Sequence, residues 1–185
     1  ELTGANVPFA VRARVCLLRD LGSALAPDNA FAIIQGLETV ALRMKQHCEN
    51  AEKVVNFLKK HKEVTKVIYS TEHEKKIADR AKQYLRGGNG PMVGIELKGG
   101  IEAGKKFIES LKMFYHVANI GDARSLAIHP ASTTHSQLNE KELAASGVTQ
   151  SYVRLCIGIE HIDDIIDDLD QALNKSSKGS LKAVS

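Results

Sequence analysis

The sequence has no tryptophan, and aromatic residues make up only 5% of it. No basic run is interleaved with aromatics, and the net charge of +3 is spread along the chain. Together these absences exclude the electrostatic footprint of a nucleic-acid-binding protein. The three cysteines, Cys16, Cys48 and Cys156, are far apart, odd in number and without a CxxC pair. That pattern excludes a disulfide framework or a zinc ribbon, and the expected setting is a reducing cytoplasm. No stretch approaches the roughly 18 apolar residues of a membrane span. The opening ELTGANVPFA lacks the basic start and apolar run of a signal peptide. It also lacks an initiator methionine, so it is read as the start of a fragment.

Several catalytic signatures are missing too. There is no GxSxG elbow, and Ser132 near His135 is not presented by a strand-to-helix turn, so both are read as residues of an ordered polar loop. His129 and His135 lie six apart with no carboxylate to complete a metal shell, so no metal site is expected. The cluster Gly87-Gly88-Asn89-Gly90 follows a helix and precedes a strand, the reverse of a phosphate-binding loop.

What is present is ordinary for a globular chain of 185 residues, with 43% hydrophobic and 25% charged residues. Val11, Val15, Leu18 and Leu21 have helix spacing within residues 9–21, ended by Gly22. Asp28 or Asn29 is the expected N-cap of the next helix. Phe31, Ile34, Leu37, Ala41, Met44, Cys48, Ala51, Val55 and Leu58 then recur in steps of three and four. This predicts one spine helix to about His61, roughly 50 Å long at 1.5 Å per residue. So long a seam fits packing against a further domain; a coiled-coil dimerisation helix is the alternative, weakened by Gln35, Gly36 and Thr39.

After residue 63 the patterns predict strands at 64–69, 92–97, 115–120, 126–128 and 152–157. Helices are predicted at 72–85, 102–111, 139–145 and 161–173, the third started by a capping pattern of Asn139 and Glu142. The order β-α-β-α-β-β-α-β-α implies an α+β layer, a mostly antiparallel sheet with helices on one face, preceded by the spine helix. Asp163, Asp164, Asp167 and Asp168 are read as a solvated helix face. The expected division is a helical segment at 1–62, an α+β domain at 63–175 and a flexible tail at 176–185.

The densest polar stretch runs from Asn119 to His135 and includes Asp122, Arg124, His129, Ser132, Thr133 and Thr134. Close after it, Arg154 sits in the apolar strand run Val153, Leu155, Ile157. A guanidinium in such a run needs an anion, because leaving the charge unpaired is costly. Its fork fits a carboxylate with two parallel bonds. The anion can be a bound ligand or a carboxylate of the protein, and spacing alone does not choose.

NIGDARSL, HPASTTHSQL and YVRLCIGIEHIDDIIDDLDQAL resemble the C-terminal part of the Cys/Met-metabolism enzymes that use pyridoxal phosphate. RVCLLRDLGSALAPDNAFAIIQGLETVALRMKQHCENA and FIESLKMF extend the resemblance over nearly the whole chain. Asn119, where many relatives have serine, and STTHSQL are most like the O-acetylhomoserine sulfhydrylases of that family. The resemblance implies the C-terminal domain of a fold-type I subunit, a cytoplasmic homo-oligomer (a tetramer) and a transferase of methionine biosynthesis and transsulfuration. The small-molecule partners would be O-acetylhomoserine and sulfide or a thiol, with no nucleic acid and no membrane. It places Arg154 and Asn119 on the substrate carboxylate, and Thr134 in support. It also implies that the Schiff-base lysine lies outside this chain, since none of the 17 lysines has the family's Ser-x-Thr-Lys-like setting. No catalytic residue, cofactor-binding residue or metal ligand is therefore assigned here. Pyridoxal phosphate is expected in the parent enzyme rather than on this fragment, which alone is expected to be inactive.

Overall fold

The structure is a computed structural model that describes residues 7–177. Contacts divide the chain into two compact units, with the boundary between Ala41 and Leu42. In the first unit, α1 (Pro8–Arg12), a π-helical segment (Ala13–Leu18) and α2 (Arg19–Leu21) follow one another directly, and left-handed Gly22 (φ 67°) stops the run. Helix α3 (Pro27–Glu38) is not capped by Asp28 or Asn29. Ala26 is the extended N-cap and Pro27 occupies the first turn, where its fixed φ fits and its missing N–H costs nothing. Asp28 instead lies in that first turn, where the helix dipole favours an anion.

The predicted spine is two helices. α3 ends at Thr39 (φ −109°, ψ 3°), and α4 (Val40–Leu58) begins at the next residue. The β-branched Thr39, three residues beyond Gly36, breaks a pattern whose apolar spacing continues on both sides. The apolar positions of α3 are exposed, among them Phe31, Ile34 and Leu37. Those of the later part of α4 are buried, and Ala51, Val54, Val55 and Leu58 enter the core of the second unit. Most of α4 accordingly belongs to the second compact unit, which begins at Leu42.

The second unit follows the predicted order: β1 (Val64–Ile68), α5 (Lys75–Tyr84), β2 (Met92–Leu97), α6 (Gly100–Ser110), β3 (Tyr115–His116), β4 (Leu126–Ile128), α7 (Glu140–Ala145), β5 (Tyr152–Cys156) and α8 (Ile162–Ser177). A 3-10 turn, Pro130–Ser132, follows β4, and Asn139 with Glu142 forms the expected capping box before α7. The sheet is ordered β1-β2-β5-β4-β3 and is antiparallel except for the parallel pair β3–β4. β3 has two residues in place of the predicted six. The Val117 N–H turns back onto the Tyr115 carbonyl (3.1 Å), a three-residue turn that takes the chain off the ladder.

Period-two alternation sends Val93, Ile95, Leu97, Val153 and Leu155 to one face, where α4, α6 and α8 bury them with Phe107, Ile165, Leu169 and Leu173. Each such large side chain contributes about 1.5–3 kcal/mol. The prediction of helices on one face holds for these three. α5 differs: its Ile77 lines a depression with Gly94, Tyr152 and Arg154 on the other side of the sheet.

Asp168 is not part of a solvated face. It is buried, and its carboxylate accepts the backbone N–H groups of Lys112 (2.9 Å), Met113 (2.8 Å) and Phe114 (3.4 Å), three amides that the turn after α6 leaves unpaired. α8 also runs further than predicted, since Ser176 is buried and its Oγ donates to the Leu173 carbonyl (2.7 Å). The rest of the expected tail, 178–185, lies outside the described residues. Asp168→Ala is expected to lower the unfolding free energy by about 3 kcal/mol, because it strands amide donors that the charge had satisfied. Urea unfolding checks this, and a loss below about 1 kcal/mol would contradict it.

Candidate functional site

β5 carries the site because its two faces do different work. Val153 and Leu155 point into the core, while Tyr152, Arg154 and Cys156 share the opposite face. Arg154 stands between Gly94 of β2 and Ile128 of β4 in the sheet register. Gly94 leaves room there for the Tyr152 ring. A Cβ at that position would lie 2.6 Å from the Tyr152 ring and 3.2 Å from the Ile68 side chain. The missing methyl lets the tyrosine ring lie across the strand beside Arg154. Burial pushes the Tyr152 phenol up, and the nearby guanidinium pulls it partly back. Arg154, Tyr152, Gly94, Ile68, Ser70 and His73 border an open depression of about 370 Å³.

Arg154 is half-buried, and its hydrogen bond to the protein is long: Nη2 donates to the backbone carbonyl of Asn119 at 3.5 Å. Among the described residues no carboxylate lies within ion-pairing distance of it. Of the two anions that the sequence left open, a protein carboxylate is therefore not in place among the described residues. Asn119 is brought to Arg154 through its backbone, and its residue is exposed. Thr134 is exposed and its Oγ1 pairs with His135 Nδ1 (2.9 Å); no hydrogen bond ties it to Arg154. Its loop nonetheless starts just after Ile128, the β4 neighbour of Arg154.

The rest of the polar stretch is self-satisfied. His129 is fully buried and has both ring nitrogens engaged. Nε2 faces the Gln150 carbonyl (2.8 Å) and so carries the proton, leaving Nδ1 to accept from the Ser132 hydroxyl (2.8 Å). Thr133 Oγ1 donates to the His129 carbonyl (2.9 Å), and α6 approaches closely enough that Gly104 packs against the imidazole with no room for a Cβ. Ser132 is thus bound to His129 and not to His135, and it serves the loop. Arg124 lies over the Tyr115 ring (4.4 Å to the centroid) and donates through Nε to Asp122 (3.3 Å). The Arg124 backbone N–H and guanidinium together hold the Asp122 carboxyl below its ordinary range. No group of three or more His, Cys, Asp or Glu capable of holding a metal occurs among the described residues. Sequence reasoning missed Tyr152. The only available signal was a large aromatic two residues before Arg154, opposite glycine-bearing β2.

Residues 5–174 match the family model described as Cys/Met metabolism PLP-dependent enzyme. The chain is 52% identical over 171 residues to an O-acetyl-L-homoserine sulfhydrylase of Leptospira meyeri, with 92% of this chain and 39% of that protein covered. It is 41% identical over 171 residues to an L-methionine gamma-lyase of Fusobacterium nucleatum, with 92% of this chain and 43% of that protein covered. A crystal structure of an O-acetylhomoserine (thiol)-lyase from Campylobacter jejuni superposes with a TM-score of 0.84 at 42% identity. It covers 94% of this chain and 42% of that one, and it carries N'-pyridoxyl-lysine-5'-monophosphate. The chain therefore spans about two fifths of the length of these relatives.

The family implies pyridoxal phosphate, which is held through a lysine in the Campylobacter protein. The residues described here do not fit that anchor, because every described lysine is exposed or half-exposed and none borders the depression at Arg154.

The buried His129 generates a pH prediction. Burial holds its folded-state pKa below the ordinary 6.5, so the folded protein binds that proton less readily than the unfolded chain. Stability from this group is complete above pH 6.5 and declines as the pH falls from there through the lower folded value. Urea unfolding between pH 7 and pH 5 is expected to show a decline in wild type that is shallower in His129→Asn. Identical slopes would contradict it.

Proposed function

The chain belongs to the Cys/Met-metabolism PLP-dependent enzymes, and from that premise we propose that it supplies the substrate-carboxylate side of an O-acetyl-L-homoserine sulfhydrylase. The whole enzyme would exchange the γ-acetoxy group of O-acetyl-L-homoserine for sulfide or a thiol. The products are homocysteine or methionine, plus acetate. Pyridoxal phosphate supplies the electron sink for such chemistry. The residues of this chain bind and orient.

The observation that carries this reading is the state of Arg154. It is a half-buried guanidinium with no carboxylate partner among the described residues and a long bond to a carbonyl. Such a group is incomplete until an anion arrives. A carboxylate accepts two parallel N–H bonds from the fork, which fixes both the position and the plane of the amino acid. Fixing the carboxylate orients the rest of the substrate toward the reacting centre, an entropic contribution to rate. Asn119 would complete the clamp from the loop above, and Thr134 would support it from the loop after β4. Similarity to an O-acetyl-L-homoserine sulfhydrylase at 52% identity favours that acyl donor over the methionine γ-lyase reaction, whose relative stands at 41%. A cystathionine γ-synthase or γ-lyase is a further alternative within the family.

A second reading rests on the predicted spine, residues 30–61, as a self-association surface, since Phe31, Ile34 and Leu37 of α3 are exposed. In isolation the chain would then be a non-catalytic assembly module, and sedimentation of the chain as a clean monomer would count against this.

The clamp is tested by nuclear magnetic resonance of the Arg154 Nε–Hε group during titration with O-acetyl-L-homoserine. The shift is expected to saturate, and it should be absent with the decarboxylated analogue 3-aminopropyl acetate. In an enzyme containing this chain, Arg154→Ala is expected to lower kcat/KM by roughly 10- to 100-fold, the equivalent of one charge-assisted hydrogen-bond pair. A near-normal kcat/KM would end the assignment.

A further inference from the structure

The loop that bears Asn119 has no strand of its own to hold it after His116. It is held instead from the segment that follows β5. Glu160 accepts the Ser125 backbone N–H (2.6 Å) and the Ser125 hydroxyl (2.9 Å). The Ser125 Oγ in turn accepts the Gly158 backbone N–H (2.8 Å), and Ile159 N–H donates to the Ala123 carbonyl (2.9 Å). Gly158 has no room for a Cβ, which would strike the Glu160 carboxylate and the Arg124–Ser125 backbone.

This segment is itself pinned from α4. Asn50 is fully buried and donates to the carbonyls of Gly158 (3.0 Å) and Glu160 (2.9 Å), while His47 Nδ1 lies 2.6 Å from the Ile157 carbonyl. Ser125 is fully buried as well. A continuous chain of bonds therefore runs from the helix through residues 157–160 to Ser125. Six residues before Ser125, the same loop presents the Asn119 carbonyl to Arg154.

We infer that Glu160 is a positioning residue for the carboxylate clamp: through Ser125 it sets the height and register of the Asn119 loop over Arg154. The inference rests on the clamp reading of Arg154 under "Proposed function". Glu160 does not itself reach the substrate. It converts the rigid end of β5 into a fixed position for a loop that has only a two-residue strand before it. A carboxylate suits the task because it accepts two bonds at once from one residue, whereas a carboxamide in its place turns a donor toward one of the two Ser125 donors.

The test compares wild type with Glu160→Gln and, independently, with Ser125→Ala, which keeps the backbone bond but removes the hydroxyl. Three quantities are read by nuclear magnetic resonance on the same chain: amide exchange at Ser125 and Gly158, amide exchange in the core strands β2 and β5, and the O-acetyl-L-homoserine titration at Arg154. The expected result in both variants is at least tenfold faster exchange at Ser125 or Gly158, unchanged core exchange, and at least fivefold weaker binding. Unchanged affinity with faster loop exchange would overturn the positioning role, as would unchanged exchange and affinity together. Loss of core protection in both variants would overturn it in favour of a purely structural role. If wild type itself gives no response at Arg154 that depends on the carboxylate, the clamp reading fails first, and the role of Glu160 in binding falls with it.

Discussion

The structure depends on one strand with two incompatible faces. β5 places Val153 and Leu155 in the centre of the core and Arg154 on the far side of the same ribbon. A strand can do this because neighbouring side chains point in opposite directions, so an apolar anchor and a cation need be only one residue apart. The core then fixes the cation. Moving Arg154 would require moving two residues that make no contact with water, and their register with β2 and β4 is set by the ladder on both sides. The one place where the far face is relieved of bulk is Gly94, and the space is taken up by Tyr152.

Much of this fold was legible from periodicity. The order of elements after residue 63 follows from apolar spacing and turn residues alone, as does the capping box at Asn139. What was not legible has common physical causes. The break at Thr39 is a local backbone event inside a seam whose apolar spacing continues through it, and spacing carries no information about such a break. The shortened β3 lost its ladder to a turn at Val117 that competes with strand pairing at close range. Asp168 looked solvated because a run of four aspartates on an amphipathic helix usually is; its role is set by three amides more than fifty residues away. The depression on the far face could not be read either, because Ile77 of α5 and Tyr152 of β5, which border it together, are 75 positions apart in the chain.

The site was legible in part. Arg154 stood out because a cation in a buried strand must have a partner, and the family resemblance added Asn119 and Thr134. The structure brings the Asn119 backbone to Arg154 and leaves Thr134 without a bond to it. The groups that hold the arrangement, Glu160, Ser125, Asn50 and His47, were invisible in the sequence because each acts through a backbone atom of a distant segment. The polar loop at 129–135 is as the sequence suggests: its Ser, Thr and His side chains are bonded within the loop or to nearby backbone, whereas the isolated arginine is the group left without a carboxylate among the described residues.

The central claim is that the partner missing from Arg154 is a substrate carboxylate. A crystal structure of this chain soaked with O-acetyl-L-homoserine tests it most directly. The account predicts the ligand carboxylate on the Arg154 guanidinium, with two N···O separations of about 2.7–2.9 Å. An Arg154 turned onto an aspartate or glutamate of the chain, with the ligand elsewhere or absent, would contradict it.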